Sequence, residues 1–139
     1  SKLAHKAFVG YANDQFRRMA SPERQARVIS MQRKVLLERF GYDTRHAAHC
    51  IRLLRMGIEF LNTGELQVKR PDAEELVSIK QGKWSLETLT AEATALFAKA
   101  RLALEGSKLP DAPDYKAVHL LLVESLLAHF HIIHKKQVG

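Results

Sequence analysis

Apolar residues recur at three- and four-residue intervals along most of the 139-residue chain, and glycines, prolines and capping residues cut that pattern into segments. The first runs from about His5 to Arg18. Ser21 then stands as an N-cap with Pro22 at the first helical position, opening a second segment that continues to Phe40 and stops at Gly41. Asp43 or Thr44 starts a third, which Gly64 ends. Asp72 and Glu75 have capping-box spacing for a short helix that runs to about Gln81, before Gly82. Ser85 caps the next, with Trp84 and Leu89 at the two positions of a hydrophobic staple. Past Pro110 and Pro113, a final helix covers about Asp114 to Lys135. The pattern predicts an all-α chain of five or six helices in one domain over residues 1–139.

Two stretches do not suit a self-sufficient helical bundle. Glu65 to Lys69 alternates Leu66 and Val68 with polar residues, the period of a half-buried strand, so one short β segment is predicted near 65–69. No second strand of similar quality accompanies it, and a solitary strand has to pair elsewhere. The final helix presents leucines on nearly every side. That surplus predicts docking against another domain or a partner subunit, with homo-oligomerisation as one form of it.

The third segment carries the strongest chemical signal. Wound at about 100° per residue, Arg45, His49, Arg52, Arg55 and Glu59 fall within roughly a third of the helix circumference. Ala47, Cys50, Ile51, Leu54, Ile58 and Leu61 line the other side, with Leu53 and Phe60 on a flank, so neighbours are expected to enclose most of this helix. Either the arginines pair with Glu59 and acids elsewhere, or they meet an external anion. Glu59 alone cannot neutralise three guanidiniums, and five-donor planar forks suit phosphate oxygens. His46 and His49 are three residues apart, a possible metal-ligand spacing, but no carboxylate or thiol is placed to complete the set. No bound metal is assigned. His129, His131 and His134 spread around the last helix and read as solvated.

Charge agrees with an anion-binding role. The chain has 22 Lys+Arg against 15 Asp+Glu, a formal charge of +7 that attracts polyanions by counterion release. The lone cysteine, Cys50, lies on the apolar side of its helix as a small core residue, which fits a reducing cytoplasm. The longest greasy run, Leu120 to Ile133, is broken by Glu124, His129 and His131, so no membrane span is expected. The chain starts Ser-Lys, as a trimmed, tagged or proteolysed product does, and as removal of an initiator methionine before serine also leaves it.

The succession FVGYANDQ (Phe8 to Gln15), GYDTRHAAHCIRLLRMG (Gly41 to Gly57), TGELQVKRPDAEEL (Thr63 to Leu76) and KQGKWSLE (Lys80 to Glu87) resembles the C-terminal helical half of predicted nucleotidyltransferases of the DNA polymerase β superfamily, in the RNA-repair-associated branch common in bacteria and phages. The likeness covers about residues 8 to 90 in order and spacing; the rest matches only as helical character. It implies an N-terminal α/β domain, missing here or on a separate chain, whose Gly-Ser motif and paired acids hold two Mg²⁺ and a nucleoside triphosphate. The helical half packs beside that domain and shapes the nucleotide or acceptor site. Carried onto this sequence, the resemblance assigns Arg45, His46, His49, Arg52 and Arg55, with Tyr11 and Gln15 from the first motif, to phosphate or nucleic-acid contact. Tyr11 and Tyr42 each follow a glycine and suit either core or stacking.

This chain departs from the family pattern where catalysis is concerned. Gly106-Ser107 is its only Gly-Ser and lies in a late linker, and no Asp-x-Asp pair occurs. Two-metal transfer needs clustered carboxylates, so no catalytic residue is assigned and the chain alone is expected to be inactive, with no cofactor of its own. The leading expectation is a domain that positions nucleotide phosphates or RNA. A structural module assembling through its last helix is the alternative. A third candidate, a metal-independent RNase using Arg and His on one helix, finds only Arg45 and His49, one residue short of the pattern, and Arg39 and His46, which straddle Gly41.

Overall fold

The computed structural model describes residues 1–20 and 31–137, so the Ser21–Pro22 start falls outside the described residues. The described residues form six helices and no strand: α1 (Ala4–Ala20), α2 (Met31–Phe40), α3 (Thr44–Thr63), α4 (Ala73–Lys80), α5 (Leu86–Gly106) and α6 (Tyr115–Gln137).

Helix α3 is the hub, with α1, α4 and α5 packed around it. Its start is set by Asp43, whose Oδ1 accepts from the N–H groups of Arg45 at 3.0 Å and His46 at 3.2 Å. Its end is set by Gly64, which takes a left-handed φ of 76° and donates its N–H to the Phe60 carbonyl at 2.8 Å. Between these caps Ala47, Cys50, Ile51, Leu54 and Leu61 are buried, as the stripe pattern predicts. All but Leu61 share one core cluster with Ala12 and Met19 of α1, Leu76 and Ile79 of α4, and Leu89, Ala93 and Leu96 of α5. Each large member contributes about 1.5–3 kcal/mol of apolar burial. Cys50 is core, and burial pushes its thiol up to about 12.

The turns are tied to the same core. Tyr42 is buried and its hydroxyl donates to the Trp84 carbonyl at 2.7 Å, joining the α2–α3 turn to the α4–α5 turn. This resolves Tyr42 as core. Ser85 Oγ accepts from the Thr88 N–H at 3.1 Å, capping α5, while Leu89 enters the core and Trp84 packs against it. Asp114 Oδ1 accepts from the Ala117 N–H at 2.9 Å and starts α6.

Two sequence expectations are corrected. The short β segment at 65–69 does not form: the stretch is irregular and exposed, with Val68 81% accessible. Alternation makes a strand only where a ladder partner and a surface to cover exist. Here the backbone is held instead by the Gln67 N–H donating to Glu59 Oε1 at 3.2 Å. The capping box at Asp72 and Glu75 has the right position but no side-chain cap, because both carboxylates turn to Arg55.

The last helix stands apart from the core. Ser107 Oγ donates to the Leu61 carbonyl at 2.7 Å, and the Lys2 N–H donates to the Pro110 carbonyl at 2.8 Å, so the linker is pinned to the end of α3 and to the N-terminal segment. Beyond it every residue from Asp111 to Phe130 is exposed. Among the described residues no helix is long and apolar enough to cross a membrane.

The α1–α3 contact is close because Gly57 lacks a side chain: a Cβ there lies 2.9 Å from Phe8 Cβ. Gly10 of α1 faces open space. Gly57→Ala is therefore expected to destabilise by about 1–3 kcal/mol as α1 shifts, whereas Gly10→Ala gains about 0.5–1 kcal/mol of helix stability. Urea denaturation of the two variants separates these opposite signs.

Candidate functional site

The polar stripe of α3 divides into two regions with opposite electrostatic fates. Toward its C-terminal half, Arg55 is enclosed by acids from two other helices. Its Nη1 donates to Asp72 Oδ2 at 2.9 Å and to Glu75 Oε2, and its Nη2 donates to Glu92 Oε1 at 3.0 Å. Arg70 joins the cluster through Nη1 to Glu59 and Nε to Asp72 Oδ1 at 2.9 Å. Burial opposes the Arg55 charge, but the hydrogen bonds it donates to Glu75, Asp72 and Glu92 outweigh it and raise the pKa. Burial likewise favours neutral Asp72, yet hydrogen bonds from Arg55 and Arg70 hold its carboxyl below the ordinary range. The expectation that Arg55 awaits an outside anion is thus corrected: its neutralising acids lie off its own helix. Glu59 is also spoken for, by Arg70 rather than by the stripe.

Toward its N-terminal half, α3 forms one wall of an open groove of about 470 Å³. Arg45, Ala48, His49 and Arg52 line it from α3, and Leu76, Val77 and Lys80 from α4. Among the described residues neither Arg52 nor Lys80 is in an ion pair. Lys80 was missed by sequence reasoning because it belongs to a different helix; its only signal was its place in the last turn of α4.

His49 orients Arg52. Its Nδ1 lies 2.9 Å from Arg52 Nη2, and since a guanidinium has no acceptor, Nδ1 carries the lone pair and the proton sits on Nε2. Burial, then the Arg52 charge, then His46, push the His49 pKa below its ordinary value, so the ring is neutral near pH 7. Its Nε2–H is a donor, the wrong polarity for a general base. Tyr11 meets His49 edge-on, ring centres 5.5 Å apart, and is 52% exposed at the rim.

The remaining assigned residues lie behind the groove. Gln15 is buried on α1, and its Oε1 accepts from His46 Nδ1. His46 Nε2 stands 3.6 Å from Asp43 Oδ2. This chain of polar contacts joins α1 to the start of α3 in the interior, so Gln15 and His46 support the groove rather than line it. With His46 turned to Gln15 and Asp43, and His49 turned to Arg52, the two imidazoles serve different partners. Among the described residues no three His, Cys, Asp or Glu side chains gather as a metal site, so none of them fits the Mg²⁺ that the resemblance implies.

Comparison with family models, with curated proteins and with solved structures gives no significant match.

Arg55→Met leaves Asp72, Glu75 and Glu92 facing one another and is expected to cost about 2–3 kcal/mol, less than a fully buried pair because the acids are partly exposed. Arg52→Met stays within about 0.5 kcal/mol. Chemical denaturation compares them. The pH dependence has two limbs. The His49 pKa falls on folding, so the unfolded chain binds more protons and stability declines as pH drops below the ordinary imidazole value of 6.5. The Asp72 pKa also falls on folding, so its contribution is present above 3.8 and lost as pH falls further. His5, whose pKa burial also lowers, adds to the first limb, so His49→Gln is expected to make that limb shallower and to leave the second unchanged in denaturation curves taken at stepped pH.

Proposed function

We propose that this helical domain positions nucleotide phosphates or RNA backbone for nucleotidyl transfer, beside a catalytic α/β domain that supplies the acids, the Mg²⁺ and the nucleoside triphosphate site. The observation that carries this reading is the convergence of Arg45, Arg52 and Lys80 on one groove, two of them outside the ion pairs that hold the fold. Arg52, oriented by His49, offers its fork to phosphate oxygens, and Lys80 across the groove adds a compact charge. Ala48, Leu76 and Val77 give apolar surface for a sugar or base. Tyr11 at the rim offers an aromatic edge or face to an unpaired base. The sequence resemblance is the support for the reaction class, and the cationic lining of the groove is the support for phosphate as its ligand. The exposed apolar surface of α6 favours a second, independent role in assembly.

Fluorescence anisotropy with short single-stranded RNA, and titration with ATP, test the reading. Arg52→Ala and Lys80→Ala are each expected to weaken RNA binding roughly 10-fold and to lower the salt slope by about one, while Lys99→Ala on α5 changes little. Association that is absent, insensitive to salt, or untouched by Arg52→Ala removes the support.

A further inference from the structure

We infer that the groove between α3 and α4 is closed at one end to a polyanion, and that it receives the terminal phosphate monoester of a nucleic-acid strand rather than the strand's interior; the inference rests on the phosphate reading proposed above. The two ends of the groove differ. Arg55 bonds Asp72 and Glu75 at the start of α4, while the groove itself runs back along α3 from Arg52 to Arg45 and forward along α4 from Leu76 to Lys80. Arg52 lies three residues before Arg55, about 4.5 Å along the helix axis, and Leu76 directly follows Glu75, so the acidic cluster borders the Arg52 end. There four carboxylates, Asp72, Glu75, Glu92 and Glu59, share the two guanidiniums of Arg55 and Arg70, which leaves a surplus of two negative charges. A phosphodiester chain entering from the Lys80 end meets that surplus within a Debye length of about 10 Å at 0.1 M salt. The end of a strand, not its middle, therefore belongs against Arg52.

The lining selects a phosphorylated end. Its polar side chains, Arg45, His49, Arg52 and Lys80, present N–H donors, and the one lone pair of His49 is taken by Arg52. A phosphate monoester brings three acceptor oxygens and about two negative charges at neutral pH, against roughly one charge for a phosphodiester. A terminal hydroxyl brings no charge and a proton for which the lining side chains hold no acceptor. Base edges carry donors as well as acceptors, and Ala48, Leu76 and Val77 answer neither, so the end is held without regard to base. A volume of about 470 Å³ is that of a small-ligand site, and is short of the several nucleotides that a through-running strand occupies.

Isothermal titration calorimetry of the 139-residue chain with unlabelled single-stranded RNA of about eight nucleotides tests the inference, one sequence being prepared with a 5′-phosphate, with a 3′-phosphate and with hydroxyls at both ends. At least one phosphorylated form is expected to bind about 10-fold tighter than the hydroxyl-ended form, and which one it is gives the direction of the strand. Arg52→Ala is expected to bring that ratio down to about 2-fold or less. Glu75→Gln keeps an acceptor for Arg55 but takes one charge from the closed end, and is expected to strengthen the hydroxyl-ended strand about 2- to 3-fold and so narrow the ratio. Circular dichroism verifies that the bundle survives in each variant. Equal affinities for the three forms overturn the inference while leaving the phosphate reading in place, provided binding still depends on salt and on Arg52. Absence of binding by all three removes both. A preference that survives Arg52→Ala puts the strand end elsewhere, and adenosine monophosphate binding as tightly as the phosphorylated strand makes a free nucleotide the occupant; either result overturns the inference.

Discussion

The guanidinium of Arg55 is the constraint on which the arrangement of α3, α4 and α5 turns. Carboxylates from two different helices converge on it, Asp72 and Glu75 at the start of α4 and Glu92 in α5, and without it their mutual repulsion drives those helices apart. Arg70 extends the arrangement to the loop before α4 by spanning Glu59 and Asp72. The candidate groove depends on this cluster although Arg55 lies outside it. One wall is α3 and the other is α4, so the separation between Arg52 and Lys80 follows from where Arg55 holds the α4 N-terminus.

Much of the fold was legible because local physics decided it. The caps at Asp43, Gly64 and Ser85, the buried side of α3, and Cys50 within that side all follow from short-range spacing. What could not be read is what depends on distant residues. The acids on Arg55 lie 17, 20 and 37 positions away, so a count of charges along one helix could not find them. Lys80 is hidden for the same reason, and the burial of Gln15 and His46 follows only from the packing of α1 across the start of α3. The stretch 65–69 shows the converse failure: a genuine period of two without a surface to cover, left as a loop held by Glu59.

Polar groups on α3 thus divide the labour. Those at its interior start, Asp43 and His46, set the entry of the helix and its register against Gln15 of α1. Those near its end lock α4 and α5. Only the segment between them, from Arg45 to Arg52, has cationic side chains turned toward an open groove, and there His49 spends its single lone pair on aiming a neighbour rather than on chemistry of its own. A helix so closely engaged elsewhere has little freedom to move its charges, which suits recognition of a ligand whose oxygens arrive in fixed geometry.

The bond from Tyr42 to the Trp84 carbonyl couples two turns that are 42 positions apart in sequence, and Trp84 is the only indole in the chain. Its half-buried ring sits where the turn before α3 and the turn before α5 are fastened together. Intrinsic emission is therefore an unlabelled optical gauge of whether that fastening is closed, reporting from the opposite end of α4 to the acidic cluster.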